Sequence, residues 1–211
     1  MKSLSSYMSS LPLLAILRGV QTSECLAIAD ALVDAGFRCI EIPLNSPQAM
    51  KSIELLAKHF PDDVLFGAGT VMTETQVEQV YQSGGRLIVM PHTDIGVIGA
   101  AKRRGMICAP GVATLTEAFS ALEAGADALK LFPSESVPPA VLRAWRTVLP
   151  PDALCLPVGG VKPEDMAAYI DAGASGFGLG SNLYRPGNSS ESVSNNAHGY
   201  IAALKAIRSL K

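Results

Sequence analysis

The sequence lacks the groupings of cysteine and histidine from which zinc and redox sites are built. It has no CxxC motif and no paired histidines, and its cysteines are scattered at Cys25, Cys39, Cys108 and Cys155. Zinc and thiol–disulfide motifs depend on close spacing of such residues. We therefore expect no metal site, and we expect the reduced, buried cysteines of a cytoplasmic protein.

Long apolar runs and an excess of one charge are also missing. No stretch approaches the ~18 apolar residues of a membrane span. The apolar segment 11–17 contains Pro12 and stops at Arg18, unlike a signal peptide. The net charge is −2, with 17 basic and 19 acidic residues, whereas domains that bind nucleic acid usually carry a basic face. We expect neither a membrane nor a nucleic acid among the partners.

What the sequence does contain is a regular alternation of short apolar runs and longer amphipathic segments. Apolar residues make up 48% of the chain, enough for the core of one domain over residues 1–211. The runs resemble strands buried on both faces, and they cover residues 13–18, 39–44, 65–71, 87–91, 107–112, 128–133, 154–161 and 176–183.

Strict alternation of strand and helix requires a parallel sheet, and eight such units can close into a (β/α)8 TIM barrel. An open doubly wound sheet is the alternative, but the first strand–helix turn has no GxGxxG motif. Residues 1–10 are expected to form a short extra helix at the bottom of the barrel. The Gly-, Asn- and Ser-rich segment 184–194 is expected to be a mobile loop.

Three charged residues fall within or at the end of these apolar runs. They are Arg18 at the end of the first run, Glu41 in the second and Lys130 in the sixth. Active sites of such barrels lie at the carboxyl ends of the strands, so we expect the three side chains to converge. Burial and a neighbouring cation favour a neutral, nucleophilic lysine, and Glu41 would move protons. The alternative is a buried Lys–Glu salt bridge without catalytic function.

Paired glycines end the last two runs and predict a phosphate site. Gly159 and Gly160 follow Val158, and Gly178 and Gly180 come shortly before Ser181. Glycines at these places let backbone N–H groups approach an anion after strands 7 and 8 of a barrel. Turns also require glycine, so each pair alone is weak evidence.

Two further polar residues at strand ends are weaker candidates. Thr70, at the end of the third run, could donate a hydrogen bond to a substrate carboxylate, or it could be a simple turn hydroxyl. His92 follows Pro91 at the end of the fourth run and could line the mouth of the barrel, or it could be a solvated loop residue.

Five motifs resemble the bacterial 2-dehydro-3-deoxy-6-phosphogluconate/6-phosphogalactonate aldolase family. They are Leu-Pro-Leu-Leu-Ala-Ile-Leu-Arg-Gly, Glu-Ile-Pro-Leu-Asn-Ser-Pro, Gly-Ala-Gly-Thr-Val, Ala-Leu-Lys-Leu-Phe-Pro and Pro-Val-Gly-Gly-Val, in order between about residues 11 and 187. The resemblance implies a Schiff base between Lys130 and the C2 ketone of a phosphorylated 2-keto-3-deoxy sugar acid. Glu41 is then the proton shuttle, the products are pyruvate and glyceraldehyde 3-phosphate, and neither a metal nor another cofactor is needed.

The resemblance also implies the substrate contacts and the oligomeric state. Arg18 and Thr70 resemble the groups that hold the carboxylate, and Pro91 and Phe132 those that line the pocket. The phosphate is expected on a cluster of four residues, namely Gly159, Gly160, Gly180 and Ser181. A homotrimer is the expected assembly.

Two departures from the gluconate branch of the family favour the galactonate branch. Asn45 stands where the gluconate enzymes usually have an arginine, and Arg18 can supply that cation. Val158 stands where they have a threonine, whose hydroxyl can distinguish the C4 epimers. The alternatives are a 6-phosphogluconate aldolase, a phosphosugar isomerase or synthase on the same barrel with Glu41 as base, and a non-catalytic sugar-phosphate sensor.

Overall fold

The computed structural model describes residues 2–209 and has an α/β fold with a curled parallel sheet. Its strands are β1 (Leu13–Ile16), β2 (Cys39–Pro43), β3 (Leu65–Gly69), β4 (Leu87–Val89), β5 (Ile107–Ala109), β6 (Gly111–Val112), β7 (Leu129–Leu131), β8 (Cys155–Pro157) and β9 (Phe177–Leu179). Its helices are α1 (Leu4–Tyr7), α2 (Cys25–Asp34), α3 (Ala49–His59), α4 (Glu74–Gln82), α5 (Ile95–Arg103), α6 (Leu115–Glu123), α7 (Pro139–Trp145), α8 (Met166–Asp171) and α9 (Ser190–Ser209). Two 3₁₀ helices cover Ser134–Ser136 and Pro163–Asp165.

The strands pair in two parallel sets. One set has the order β5-β4-β3-β2-β1-β9 and the other β6-β7-β8, and a parallel bridge between Val158 and Gly178 lies between β8 and β9. The predicted fifth run, 107–112, is divided by Pro110 into β5 and β6. Proline has no backbone N–H and cannot donate to a neighbouring strand, which accounts for the interruption.

Alternating strand residues separate into two apolar clusters, because successive side chains of a strand point to opposite faces. The larger cluster lies between the sheet and the helices and includes Ala15, Ile40 and Phe177. The smaller cluster lies on the opposite face of the strands, called the inner face below, and includes Leu14, Cys39, Leu65, Leu87, Ile107, Ala128 and Leu156. The sheet is therefore apolar on both faces, as the continuous apolar runs predicted.

The short N-terminal helix α1 packs against the inner face of the sheet. Leu4 and Tyr7 are buried, and Met8 follows them into the smaller cluster. The Tyr7 hydroxyl donates a hydrogen bond to the carbonyl oxygen of Asp62 at 3.1 Å, which ties α1 to the loop before β3. A short helix was expected within residues 1–10, at the bottom of the barrel, and α1 lies within this range.

The segment 184–194 is only partly a loop. Residues 184–189 have no helix or strand, but Ser190 begins α9, a helix that continues to Ser209. Its buried residues Val193, Ala197, Tyr200 and Leu204 recur every three to four positions and pack into the larger cluster. The loop prediction for 190–194 was therefore wrong, because the apolar positions that recruit the helix lie mostly beyond this polar segment. Within residues 2–209, no helix combines the length and apolar character that crossing a membrane requires.

Candidate active site

A cavity of about 230 Å³ lies where the carboxyl ends of β1, β7, β8 and β9 meet. It is lined by Ile16, Arg18, Lys130, Phe132, Val158, Gly159, Gly160, Gly180, Ser181, Tyr184, Arg185 and Pro186. Most of the residues selected from the sequence therefore share one cavity. A larger groove of about 620 Å³ near α1 and α3 includes Lys2, Tyr7, Phe60 and Arg86 but none of the selected residues.

Lys130 presents its amine to this cavity from the middle of β7. Its neighbours in register are Gly111 on one side and Leu156 on the other, and its side chain is almost completely buried. The Nζ atom lies 4.6 Å from the centre of the Phe132 ring. Burial lowers the pKa of Lys130, the negative charge of Glu41 opposes this, and the positive charge of Arg18 adds to it. The net lowering increases the fraction of neutral, nucleophilic amine.

Glu41 is buried in β2, between Ile16 of β1 and Gly67 of β3 in register. Burial raises its pKa to about 7, although the charges of Lys130 and Arg18 act in the opposite direction. In the described part of the chain, its Oε2 atom is buried without a hydrogen-bond partner. A carboxyl group in this state can release and take up a proton near neutral pH, which is what a general acid–base requires.

The absence of a close ion pair separates this arrangement from a structural salt bridge. Among the ion pairs within residues 2–209, none joins the Lys130 amine to the Glu41 carboxyl group, so no N···O distance between them is 4.0 Å or less. The two groups still affect each other's pKa. A buried carboxyl oxygen without a hydrogen-bond partner is costly.

Gly69 makes room for the Glu41 carboxyl group. A Cβ atom built on Gly69 would lie 1.8 Å from Oε2 of Glu41, so no other residue fits there without moving the carboxyl group. The next residue, Thr70, has a φ of 56°, a left-handed conformation that is unusual for a β-branched residue. Strain of this kind tends to be retained at functional sites.

Not every residue selected from the sequence lines the cavity. Arg18 does so, but it is exposed rather than buried, because it lies two residues beyond the end of β1. Glu41 is buried and lies outside the cavity lining, and so do Thr70 and Pro91, which are partly exposed. His92 is also outside it, and its Nδ1 atom is buried without a hydrogen-bond partner among the described residues.

Two side chains fix the direction of the peptide groups at the paired glycines. The Ser134 hydroxyl donates a hydrogen bond to the carbonyl oxygen of Gly159, and Asn182 Nδ2 donates one to that of Gly160 at 3.0 Å. Neither side chain lines the cavity. Because the N–H of a planar trans peptide points opposite to its C=O, the N–H groups of Gly160 and Val161 point away from these two donors.

The backbone of this turn depends on glycine. Gly159 and Gly160 have φ values of 110° and 67°, a region that residues with a Cβ atom rarely adopt. Gly180, across the cavity rim, has no atom within 4 Å of the position that a Cβ would take. Gly180 therefore leaves open space, and the backbone at Gly160 is exposed, both of which favour close approach of an anion.

Sequence reasoning missed three residues that line the cavity after β9, namely Tyr184, Arg185 and Pro186. Tyr184 is buried, and its hydroxyl donates a hydrogen bond to Oε1 of Glu24 at 2.7 Å. Arg185 Nε donates one to the carbonyl oxygen of Ser181 at 2.8 Å. An available signal was that this segment directly follows the last strand, where barrels place functional loops.

A family model described as KDPG and KHG aldolase matches residues 4–203. The match covers nearly all of the described chain, including every strand and the whole cavity. The chain belongs to the KDPG and KHG aldolase family. Within residues 2–209, no group of three or more His, Cys, Asp or Glu residues is placed to hold a metal ion.

Two members of the KDPG and KHG aldolase family match the chain over most of its length. The 2-dehydro-3-deoxy-6-phosphogalactonate aldolase of Escherichia coli strain K12 is 48% identical over 199 residues, which are 94% of this chain and 97% of that protein. A structure described as native KDPGal matches with a TM-score of 0.92 and 48% identity, covering 94% of this chain and 97% of its own.

A more distant family member has been captured with a bound reactant. The KDPG aldolase of Legionella pneumophila, crystallised with pyruvate held at low pH as a covalent carbinolamine intermediate, matches with a TM-score of 0.81 and 26% identity. The match covers 98% of each chain. The shared fold of the KDPG and KHG aldolases therefore holds a covalent pyruvate adduct in at least one relative.

Proposed function

We propose that this chain is a class I aldolase that cleaves 2-dehydro-3-deoxy-6-phospho-D-galactonate to pyruvate and D-glyceraldehyde 3-phosphate. The observation that carries the proposal is that a buried Lys130 with a lowered pKa lines the cavity, and that the buried carboxyl group of Glu41 lies close enough to influence the pKa of this lysine. The galactonate relative at 48% identity supports the choice of substrate.

The reaction begins with attack of the neutral Lys130 amine on the C2 ketone. The resulting carbinolamine loses water, with Glu41 supplying the proton, and leaves a protonated Schiff base. Burial of the Lys130 amine favours its attack on the ketone because it raises the fraction of neutral amine. Arg18 is proposed to hold the C1 carboxylate, and Phe132 to line the pocket around C2 and C3. The family resemblance adds Thr70 to the carboxylate contacts and Pro91 to the pocket, although both lie outside the cavity lining.

Cleavage breaks the bond between C3 and C4. Glu41 accepts the C4 hydroxyl proton as the C4 carbonyl forms, and the electron pair of the broken bond moves into the Schiff base to give an enamine on Lys130. D-Glyceraldehyde 3-phosphate departs. Glu41 then returns the proton to C3 of the enamine, and water releases pyruvate and the free amine. One carboxyl group with a pKa of about 7 can serve in both directions.

The phosphate is proposed to bind on Gly159, Gly160, Gly180 and Ser181, opposite Ser134 and Asn182. Val158 lies beside the glycine pair and offers no hydroxyl to the C4 position. Since one hydrogen bond contributes only about 1 kcal/mol, we expect residual cleavage of the C4 epimer, 2-dehydro-3-deoxy-6-phosphogluconate.

Two experiments test the proposal. Borohydride reduction in the presence of pyruvate is expected to add a pyruvyl group to Lys130, detected by mass spectrometry, and Lys130→Ala is expected to abolish both adduct and turnover. The matched control Lys162→Ala, which removes an exposed lysine, is expected to retain both. An isomerase or sensor would form no adduct and release no pyruvate in an assay coupled to lactate dehydrogenase.

The second experiment compares the two C4-epimeric phosphates side by side. A higher kcat/KM for the galactonate epimer supports the proposed substrate, whereas a preference for the gluconate epimer would make the chain a 6-phosphogluconate aldolase.

We also infer a closed (β/α)8 barrel formed by one domain over residues 1–211. β6 continues β5 beyond Pro110, and the Val158–Gly178 bridge lies between β8 and β9, so each predicted strand would have two neighbours. The family resemblance further favours a homotrimer in the cytoplasm. Sedimentation velocity tests this assembly.

A further inference from the structure

We propose that Arg185 binds the phosphate group of the substrate and supplies its main counter-charge. This proposal rests on the proposed aldolase function and extends it to a residue that no motif in the sequence suggested. Arg185 lies in the segment after β9 and lines the cavity together with Gly160, Gly180 and Ser181.

The side chain of Arg185 is held at the rim of the cavity by its inner nitrogen. Nε donates a hydrogen bond to the carbonyl oxygen of Ser181 at 2.8 Å, which fixes the plane of the guanidinium group. Within residues 2–209, no carboxylate forms an ion pair with it. The two terminal NH₂ groups of an arginine can then bind phosphate oxygens in a bidentate manner.

The backbone around Arg185 is anchored on both sides. Tyr184 is buried and donates its hydroxyl hydrogen bond to Glu24, and the backbone N–H of Arg185 donates to Oδ1 of Asn188 at 2.8 Å. Pro186 packs against Gly19, where a Cβ atom would lie 2.7 Å from its ring. An exposed side chain on a fixed backbone loses less freedom on binding than one on a mobile loop.

Of the positive charges around the cavity, only that of Arg185 has no other role in the proposed reaction and can interact with the substrate phosphate. Three cationic side chains line it, Arg18, Lys130 and Arg185, and among the described lining residues none is acidic. Lys130 is committed to the ketone and Arg18 to the carboxylate, whereas a phosphate ester carries a charge of about −1.5 to −2 at neutral pH. Backbone N–H groups alone supply only partial charges.

An acidic side chain behind the glycine pair increases the need for a cation. Glu135 Oε1 lies 3.5 Å from the position that a Cβ on Gly160 would take, and Oε2 lies 3.6 Å from that on Gly159. Its negative charge disfavours a phosphate on the other side of the turn. A guanidinium group on the cavity side offsets this repulsion.

The test compares Arg185→Ala with the wild type on two substrates, the phosphorylated acid and the same 2-keto-3-deoxy acid without phosphate. We expect kcat/KM for the phosphorylated acid to fall about 10- to 100-fold, the range for loss of a hydrogen bond to a charged group. The value for the unphosphorylated acid is expected to stay within about 3-fold. Labelling of Lys130 by pyruvate and borohydride is expected to be unchanged.

Two further variants control for charge and geometry. Lys162→Ala removes one positive charge close in sequence to the glycine pair but outside the cavity lining, and it is expected to leave both substrates unaffected. Arg185→Lys keeps the charge but loses the bidentate geometry, and an intermediate loss is expected.

Arg185→Ala values equal to those of Lys162→Ala would overturn the proposal. An equal loss on both substrates would also overturn it, because it would place Arg185 away from the phosphate. Stabilisation of the protein by inorganic phosphate in thermal unfolding, reduced in Arg185→Ala, provides a readout independent of cleavage. If the wild type binds phosphate through Arg185 yet cleaves neither acid, the proposed aldolase function fails while this inference stands.

Discussion

The inner face of the sheet has two regions that follow the same alternation but differ in residue size. In the lower region, Leu14, Cys39 and Leu65 lie side by side in register, covered by Leu4 and Tyr7 of α1. Two residues further along β1–β3, the same face carries Ile16, Glu41 and Gly67, followed by Gly69 in β3. Apolar side chains fill the lower region, whereas in the upper region β3 has glycines without side chains at Gly67 and Gly69.

The comparison shows that one part of the inner face contributes mainly to stability, while another part holds the side chains proposed for catalysis. Large apolar residues in the lower region bury area and stabilise the fold. In the upper region, Gly69 leaves the space that the Glu41 carboxyl group occupies, and Gly67 allows the backbone of Leu87 to approach closely. Substitutions in the two regions should therefore affect different measurements.

The largest effect is expected from Glu41→Gln in the upper region. Glutamine keeps the size that Gly69 accommodates but cannot accept or return a proton. We expect kcat to fall at least ~10²-fold, as for loss of a general acid–base, and the circular dichroism spectrum to remain that of the wild type. Turnover equal to that of the wild type would show that another group moves the protons.

A stability effect without a kinetic effect is expected from Leu65→Ala in the lower region. Leu65 is 2% exposed and belongs to the inner cluster, so its truncation leaves a cavity and lowers the free energy of unfolding by about 2–5 kcal/mol. Denaturant unfolding measures this change. At a temperature well below unfolding, kcat is expected to match the wild type, and a large loss of kcat would show that the two regions are coupled.

Much of this division could be predicted from the sequence, and the reasons are local. The continuous apolar runs identified the strands, and Lys130 and Glu41 were conspicuous as charges inside them. Thr114 and Asp94 cap α6 and α5 through their own side chains, in agreement with their positions before amphipathic segments.

The rest depended on contacts between residues distant in the chain. No local pattern shows that position 69 must be glycine to make room for the Glu41 carboxyl group. Nor does one show that Ser134 orients the peptide of Gly159, or that Arg185 reaches the cavity. Proline at position 110 interrupts a strand whose composition is otherwise uniform. Which strands pair and where side chains point depend on packing between distant residues, and sequence periodicity gives no information about that packing.

The smallest expected effect is a difference in the pH dependence of stability, and it isolates Glu41 within the upper region. Burial raises the pKa of Glu41 from its ordinary 4.5 to about 7. Between these values the folded protein holds a proton that the unfolded chain has released, so the free energy of unfolding falls as the pH rises through this window. Glu41→Gln removes that contribution. We therefore expect wild type to lose more stability than Glu41→Gln between about pH 5 and about pH 7.5 in denaturant unfolding. Parallel pH profiles would mean that the Glu41 carboxyl group is not held in a desolvated site, and its part in proton transfer would lose its physical basis.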